Sequence, residues 1–159
     1  KDYDWKGICI EPVPSLFKKL SENRKSINIS NAIYNENDKI DNIIEANMLS
    51  GIREDVDSHK HILDKEEKND IKVLTKTLTT VLDENKAPTN IDYLSIDTEG
   101  SELKVLEEID LNKYKFEYIN IEHNFQEKRR LEMRELLESK NYKFLEENHV
   151  DDIYIYNEL

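Results

Sequence analysis

Hydrophobic and polar positions along the chain alternate between a two-residue and a 3.6-residue period. Lys6 to Glu11 (KGICIE) is a short apolar run with β-branched residues, bounded by Gly7, Pro12 and Pro14, which predicts a buried strand. Pro14-Ser15 then opens a helix whose Leu16, Phe17 and Leu20 share one face, with Lys and Glu opposite. Ser26 to Ile33 alternates Ile27 and Ile29 with Asn28 and Ser30, the pattern of a strand. From Tyr34 to Asn69 the pattern weakens. Arg53 to Asp70 is a dense charge run with only Val56, Ile62 and Leu63 to bury, which predicts a solvated loop or excursion.

Regular periodicity returns with a strand at Ile71 to Thr75, after which Thr77 is placed to cap a helix carrying Leu78, Val81 and Leu82 on one face. Ile91 to Asp97 (IDYLSID) is the clearest strand, followed by Thr98-Glu99-Gly100 and a helix from Ser101 to about Ile109. Phe116 to Glu122 predicts another strand. Gln126 to Lys140 predicts a long helix with Met133, Leu136 and Leu137 inward. Tyr142 to Glu146 and Asp152 to Tyr156 close the chain as strands. Strands alternating with helices imply a doubly wound α/β fold, a mostly parallel sheet covered on both faces. The link Glu147 to Asp151 is too short for a helical crossover, so the last two strands form an antiparallel hairpin at one edge.

Length and composition agree with one globular domain: 159 residues, 37% hydrophobic. With 23 Lys+Arg against 35 Asp+Glu the net charge is −12, and the basic residues are interspersed with acidic ones. That leaves no basic stripe for nucleic acid or for an anionic membrane surface. A single cysteine, Cys9, makes a reducing, cytoplasmic compartment the expectation and reads as an inert core thiol. The three glycines, Gly7, Gly51 and Gly100, are too far apart for any glycine-rich phosphate loop.

In open α/β sheets, ligands bind beyond the carboxyl ends of the strands. Glu11 ends the first predicted strand and Asn31-Ala32 lie at the end of the second; Asp97, with Glu99 two residues on, ends the fourth, and Glu122-His123 the fifth. Glu11 suits either the two hydroxyls of a ribose or the N-terminus of the following helix. Asp97 and Glu99 suit a general base, a metal ligand, a hydroxyl acceptor or a helix cap. His123 brings a tunable proton acceptor. His59 and His61 form an H-x-H pair near Asp57 and Asp64, without further ligands at zinc-site spacing, so no metal site is expected there. Trp5, Tyr142, Tyr154 and Tyr156 are expected to pack, with hydroxyls reaching water.

The segments Trp5 to Pro12 with Pro14, Leu16 and Phe17, then Asn31-Ala32, Ile91 to Glu102 (IDYLSIDTEGSE) with Val105-Leu106, and Ile121-Glu122-His123 together resemble the FkbM-type S-adenosylmethionine-dependent methyltransferases. The resemblance spans nearly the whole chain. It implies a class I methyltransferase fold and O-methylation of hydroxyls on sugars or natural products. It further implies that Glu11 takes the ribose hydroxyls of S-adenosylmethionine, beside Pro12, and that Asn31-Ala32 lie along its adenine. Asp97 and Glu99 would face the methyl group and a small-molecule or glycan acceptor, with Glu122 and His123 across the pocket and Asp97 or His123 as the base. Metal assistance by Asp97, Glu99 and Glu122 stays open, since their spacing alone does not establish it.

Members of that family carry a central strand and a glycine-containing cofactor loop ahead of the segment that matches Trp5, and this sequence has neither. Lys1 in place of methionine and the absent loop predict that these residues are the C-terminal portion of a longer protein. Two rival readings remain open at this level. One takes Asp97 as the nucleophile of a Mg²⁺-dependent phosphatase-like α/β hydrolase; the other is a non-catalytic interaction fragment.

Overall fold

The computed structural model describes residues 5–45, 51–52 and 69–157. Residues 53–68, most of the predicted charged loop, and with them His59 and His61, lie outside the described residues. The elements are β1 (Ile8–Ile10), α1 (Pro14–Asn23), β2 (Ile27–Ile29), β3 (Ala32–Ile33), β4 (Ile40–Glu45), β5 (Gly51–Ile52), β6 (Asn69–Lys76), α2 (Leu78–Glu84), β7 (Asn90–Ile96), α3 (Glu102–Glu107), β8 (Lys115–Glu122), α4 (Glu127–Ser139), β9 (Tyr142–Asn148) and β10 (Asp151–Tyr156).

The fold is mixed α/β, and among the described residues its strands form three sheets rather than one mostly parallel sheet. β1 and β2 run parallel as a pair. The second sheet has the order β7-β8-β10-β9: β7 and β8 are parallel, and β10 is antiparallel to both β8 and β9. The expected closing hairpin is present, with its last strand inserted between β8 and β9 and β9 left at the edge. The third sheet, β3-β6-β4-β5, pairs β3 with β6 in parallel and is otherwise antiparallel.

Two features of the third sheet escape the hydropathy pattern. In β4, Ile40 is 65% exposed while Asp41 and Ile43 are buried, so the apolar residue at the strand's start points the wrong way for a pattern reading. The alternating run Ser26 to Ile33 is broken at Ser30-Asn31, because β2 pairs with β1 and β3 with β6. Local alternation carries no signal of a change of partner.

The main core lies where α2, α3 and α4 cover one face of the β7-β8-β10-β9 sheet. Leu78 and Leu82, Val105 and Leu106, Met133 and Leu137 meet Ile96, Ile119, Ile121 and Tyr154, and Ile8 and Ile10 of β1 pack against them. Thr77 caps α2 as its sequence predicts, its hydroxyl accepting the Thr80 N–H at 3.2 Å. On the opposite face, Tyr93 and Tyr118 stand in register on β7 and β8 and are both exposed, while Ile91 and Phe116, two residues earlier on the same face, pack into the core. A smaller core of Val13, Ala32, Tyr34, Ile43, Ile52 and Val73 supports the third sheet. It is tied to α3 by Lys104, whose Nζ donates to the Tyr34 hydroxyl at 2.6 Å.

The aromatic residues divide. Trp5 is 70% exposed and does not pack. Tyr142 and Tyr154 are buried, and their hydroxyls meet protein rather than water: Tyr142 accepts the Phe116 N–H at 3.0 Å and Tyr154 donates to Asp152 at 3.2 Å. No helix among the described residues is long and apolar enough to cross a membrane.

Leu106 is fully buried in the main core. Leu106→Ala is expected to lower unfolding free energy by about 3 kcal/mol, and Thr77→Ala by about 1 kcal/mol, both read from urea denaturation midpoints.

Candidate active site

Ile96 of β7 lies in register with Ile121 of β8, so the next residues, Asp97 and Glu122, leave the sheet side by side. Both stand at the carboxyl ends of parallel strands, where α/β folds form their ligand crevices. On the other side of β8, Asp151 of β10 is in register with Glu122 and accepts the Asn120 amide at 3.1 Å. Three carboxylates therefore converge at the sheet's end before the loops contribute any.

The loop after β7 adds a fourth acid and sets the positions of the others. Glu99 (φ 56°) and Gly100 (φ 122°) adopt left-handed conformations that turn the chain sharply into α3. The turn is closed by Glu102, in the first turn of that helix. Its Oε1 accepts the Thr98 N–H at 2.9 Å, the Thr98 hydroxyl at 3.0 Å and the Gly100 N–H at 2.9 Å. Glu102 therefore braces the turn ahead of the helix, while Ser101 at the N-cap makes no side-chain capping bond and Thr98 donates where a cap would accept. The sequence signal was available: a glutamate four residues beyond Thr98, in the first helical turn. One carboxylate oxygen from each of Asp97, Glu102 and Glu122 lies within 4.8 Å of the other two.

Such crowding disfavours ionisation. Glu122, buried at the end of β8, has its pKa pushed up to about 9, by desolvation first and then by the charges of Asp97, Glu99 and Glu102. Glu99 is raised to about 7 by desolvation, Asp97 and Glu102. Asp97 is raised as well, by partial desolvation and by Glu102 and Asp151. The only cationic side chain among the described residues in ion-pair reach of Glu102 is Arg129 of α4, whose Nη1 lies 3.8 Å from Oε2.

His123 directly follows Glu122 and belongs to a different cluster. It is buried; its Nδ1 accepts the Phe125 N–H at 3.1 Å, and its Nε2 lies 3.8 Å from Asp152 Oδ1. Asp152 of β10 is held by Arg130 Nε at 2.9 Å, Arg130 Nη2 at 2.6 Å and Arg134 Nη2 at 3.1 Å. Burial opposes ionisation of Asp152, and the two guanidinium groups outweigh it, holding its pKa below the usual value. Arg130 also bonds Glu147 at 2.5 Å, and Arg134 stacks over the Phe144 ring at 4.0 Å. This network locks α4 onto β9 and β10. Asp152, Arg130 and Arg134 carry no motif that marks them in the sequence.

Glu11 continues the β1–β2 ladder by one bond, its N–H donating to Ile29 O at 3.0 Å. Its Oε1 turns back to accept the Val13 N–H at 2.8 Å, at the start of α1 between Pro12 and Pro14. The half-buried carboxylate is raised in pKa by desolvation, which the Val13 N–H partly offsets. Asn31 is engaged with β6, its Nδ2 donating to Leu74 O at 3.1 Å, and Ala32 is buried in β3 opposite Thr75. Cys9 is half-buried, and its sulfur accepts the Ser26 hydroxyl at 3.3 Å.

Residues 1–144 match the methyltransferase FkbM domain, and the chain belongs to that methyltransferase family. No curated protein and no solved structure matches it. The match stops within β9, although β10, which follows, supplies the strand between β8 and β9 and the carboxylate that faces His123.

The raised carboxyl groups set a pH dependence. A group whose folded pKa lies above its unfolded value stabilises the fold fully below the unfolded pKa, and that contribution is lost as pH rises through the folded pKa. With Glu99 near 7 and Glu122 near 9, the melting temperature in chelator is expected to fall between pH 5 and pH 9. Glu122→Gln should flatten the upper part of that fall in a thermal-melt series. Asp152 acts in the opposite sense, its contribution present above the ordinary aspartate pKa and lost in acid. Asp152→Asn is expected to cost on the order of 3 kcal/mol at neutral pH by denaturant titration, since two guanidinium groups lose their counter-charge.

Proposed function

We propose that this FkbM-family domain is a cytoplasmic, S-adenosylmethionine-dependent O-methyltransferase acting on a hydroxyl of a sugar or natural-product acceptor. The observation that carries the reading is the gathering of Asp97, Glu99 and Glu122 at the carboxyl ends of the adjacent parallel strands β7 and β8. S-adenosylmethionine supplies an electrophilic methyl group when bound. The residues present fit such a cofactor: Glu11 is a half-buried carboxylate oriented by the Val13 N–H, and a carboxylate so anchored keeps acceptor capacity for ribose hydroxyls. Pro12 holds that turn, and Asn31 and Ala32 line the adenine side in this reading.

Transfer to an oxygen needs the acceptor positioned and its proton removed. Asp97 is exposed and Glu99 partly so, and carboxylates shifted upward are better proton acceptors at neutral pH than ordinary ones. We assign the base to this pair. Glu122, buried behind them at the end of β8, lies beside Asp97. His123, engaged with Phe125 and facing Asp152, is turned away from this pair, and we do not assign it the acceptor's proton.

The reading includes one more strand. Among the described residues, β1 pairs with β2 alone and β7 with β8 alone, so each of β1 and β7 has one edge with unmatched backbone groups. We assign to residues upstream a strand that pairs with both edges, restores a doubly wound sheet, and brings the glycine-containing cofactor loop with it.

Calorimetric titration with S-adenosylhomocysteine tests both parts. A version extended upstream is expected to bind, and Glu11→Ala to weaken it about tenfold or more through lost charge-assisted hydrogen bonds. Absence of binding by the extended form and by this chain alike would overturn the reading. Stabilisation by a phosphate analogue with Mg²⁺ would instead favour hydrolase chemistry.

A further inference from the structure

We infer that Asp97, Glu102 and Glu122 form a binding site for a single divalent, oxygen-preferring cation of the Mg²⁺, Mn²⁺ or Ca²⁺ class. The three come from separate elements: the end of β7, the first turn of α3 and the end of β8. One oxygen from each lies within 4.8 Å of the others. Metal–oxygen bonds of about 2.0–2.6 Å put neighbouring ligand oxygens about 3 Å apart and opposite ones up to about 5 Å apart, so one ion spans the set.

A second observation points to a ligand. Glu122 is 8% exposed, and its Oε2 is buried without a hydrogen-bond partner. A buried carboxylate oxygen left unsatisfied is costly, and native folds rarely retain one without an ion or water to meet it. Arg129, at 3.8 Å from Glu102, is one positive charge against three carboxylates.

The donors also define which cation fits. All three ligands are carboxylates; the imidazole of His123 and the thiol of Cys9 are engaged elsewhere, so soft metals have no preferred partner here. Glu102 is preorganised, since Thr98 and Gly100 hold its Oε1 with three hydrogen bonds, the outer-shell support typical of a metal ligand. Asp97 is exposed, which gives the ion an entry path and leaves coordination positions for water or substrate oxygens. The cluster of His123, Glu147 and Asp152 is a useful contrast. It has similar spacing, and Arg130 and Arg134 already neutralise it, so no cation is called for.

Binding of the ion stands independently of the methyltransferase reading. Its use, holding the acceptor's hydroxyl oxygen and lowering that hydroxyl's pKa while Glu99 takes the proton, rests on that reading.

The purified full chain, stripped with chelator, is titrated with Mn²⁺ and free Mn²⁺ is followed by electron paramagnetic resonance, with Mg²⁺ and Ca²⁺ as competitors. One saturable site per chain is expected. Glu122→Gln and Asp97→Asn should each weaken it about tenfold or more, and Glu147→Gln should leave it unchanged. Asp97 is exposed, so Asp97→Asn remains informative even where Glu122→Gln fails to fold. No saturable uptake at ~1 mM Mn²⁺, or uptake unaltered by Asp97→Asn, would overturn the site. Failure to bind S-adenosylhomocysteine with Mn²⁺ uptake intact would remove the methyltransferase reading and leave the cation site standing.

Discussion

One carboxylate oxygen, Glu102 Oε1, holds the turn on which the site depends. By accepting hydrogen bonds from Thr98 N–H, Thr98 Oγ and Gly100 N–H, it fixes a loop whose two central residues lie in left-handed conformations. A residue other than glycine in that region is costly unless its surroundings specify it, as the closed turn does here for Glu99. With the turn closed, α3 starts directly above β7, and Asp97 and Glu99 stay near the end of β8, where Glu122 waits. The same oxygen thus sets the entry angle of a core helix carrying Val105 and Leu106 and the spacing of the acidic cluster. Stability and chemistry share one constraint.

The end of β8 sorts two neighbouring residues into different environments. Successive side chains along a strand point to opposite faces, and Glu122 and His123 separate in that way. Glu122 meets Asp97 and Glu102 under conditions that favour its neutral form. His123 meets an aspartate that two arginines keep ionised. One cluster of carboxylates is short of positive charge and the other is supplied with it, and the two are adjacent in sequence. This contrast is why the first is a candidate for proton transfer and cation binding and the second is a brace between α4 and β10.

Much of the fold was legible in the residues. β7, β8, α2 and α4 could be placed because each sets apolar residues against the main core, and Thr77 announces the start of α2 by its own hydrogen bond. The acids at the strand ends were legible too, since strand boundaries can be read and the crevice follows from them. Less legible was the third sheet, where Ile40 faces out and Asp41 faces in, and the break at Ser30-Asn31, which depends on which strand each half can reach. Glu102 was in plain view as part of an acidic segment, with its role hidden until its oxygen could be seen to meet Thr98 and Gly100. Arg130, Arg134 and Asp152 were invisible as a group, being separated by the whole of β9.

By itself the sequence determined the order of strands and helices, the acidic character of the strand ends and the family to which the chain belongs. Those properties depend on local periodicity and on residues next to one another in the chain. Only the tertiary structure decided that Asp97 and Glu122 stand on adjacent strands, that Glu102 joins them, and that His123 turns away toward Asp152. It also decided that β10 lies between β8 and β9. These are consequences of strand register and of which face each side chain takes at a strand's end, and neither is encoded in any short stretch of residues.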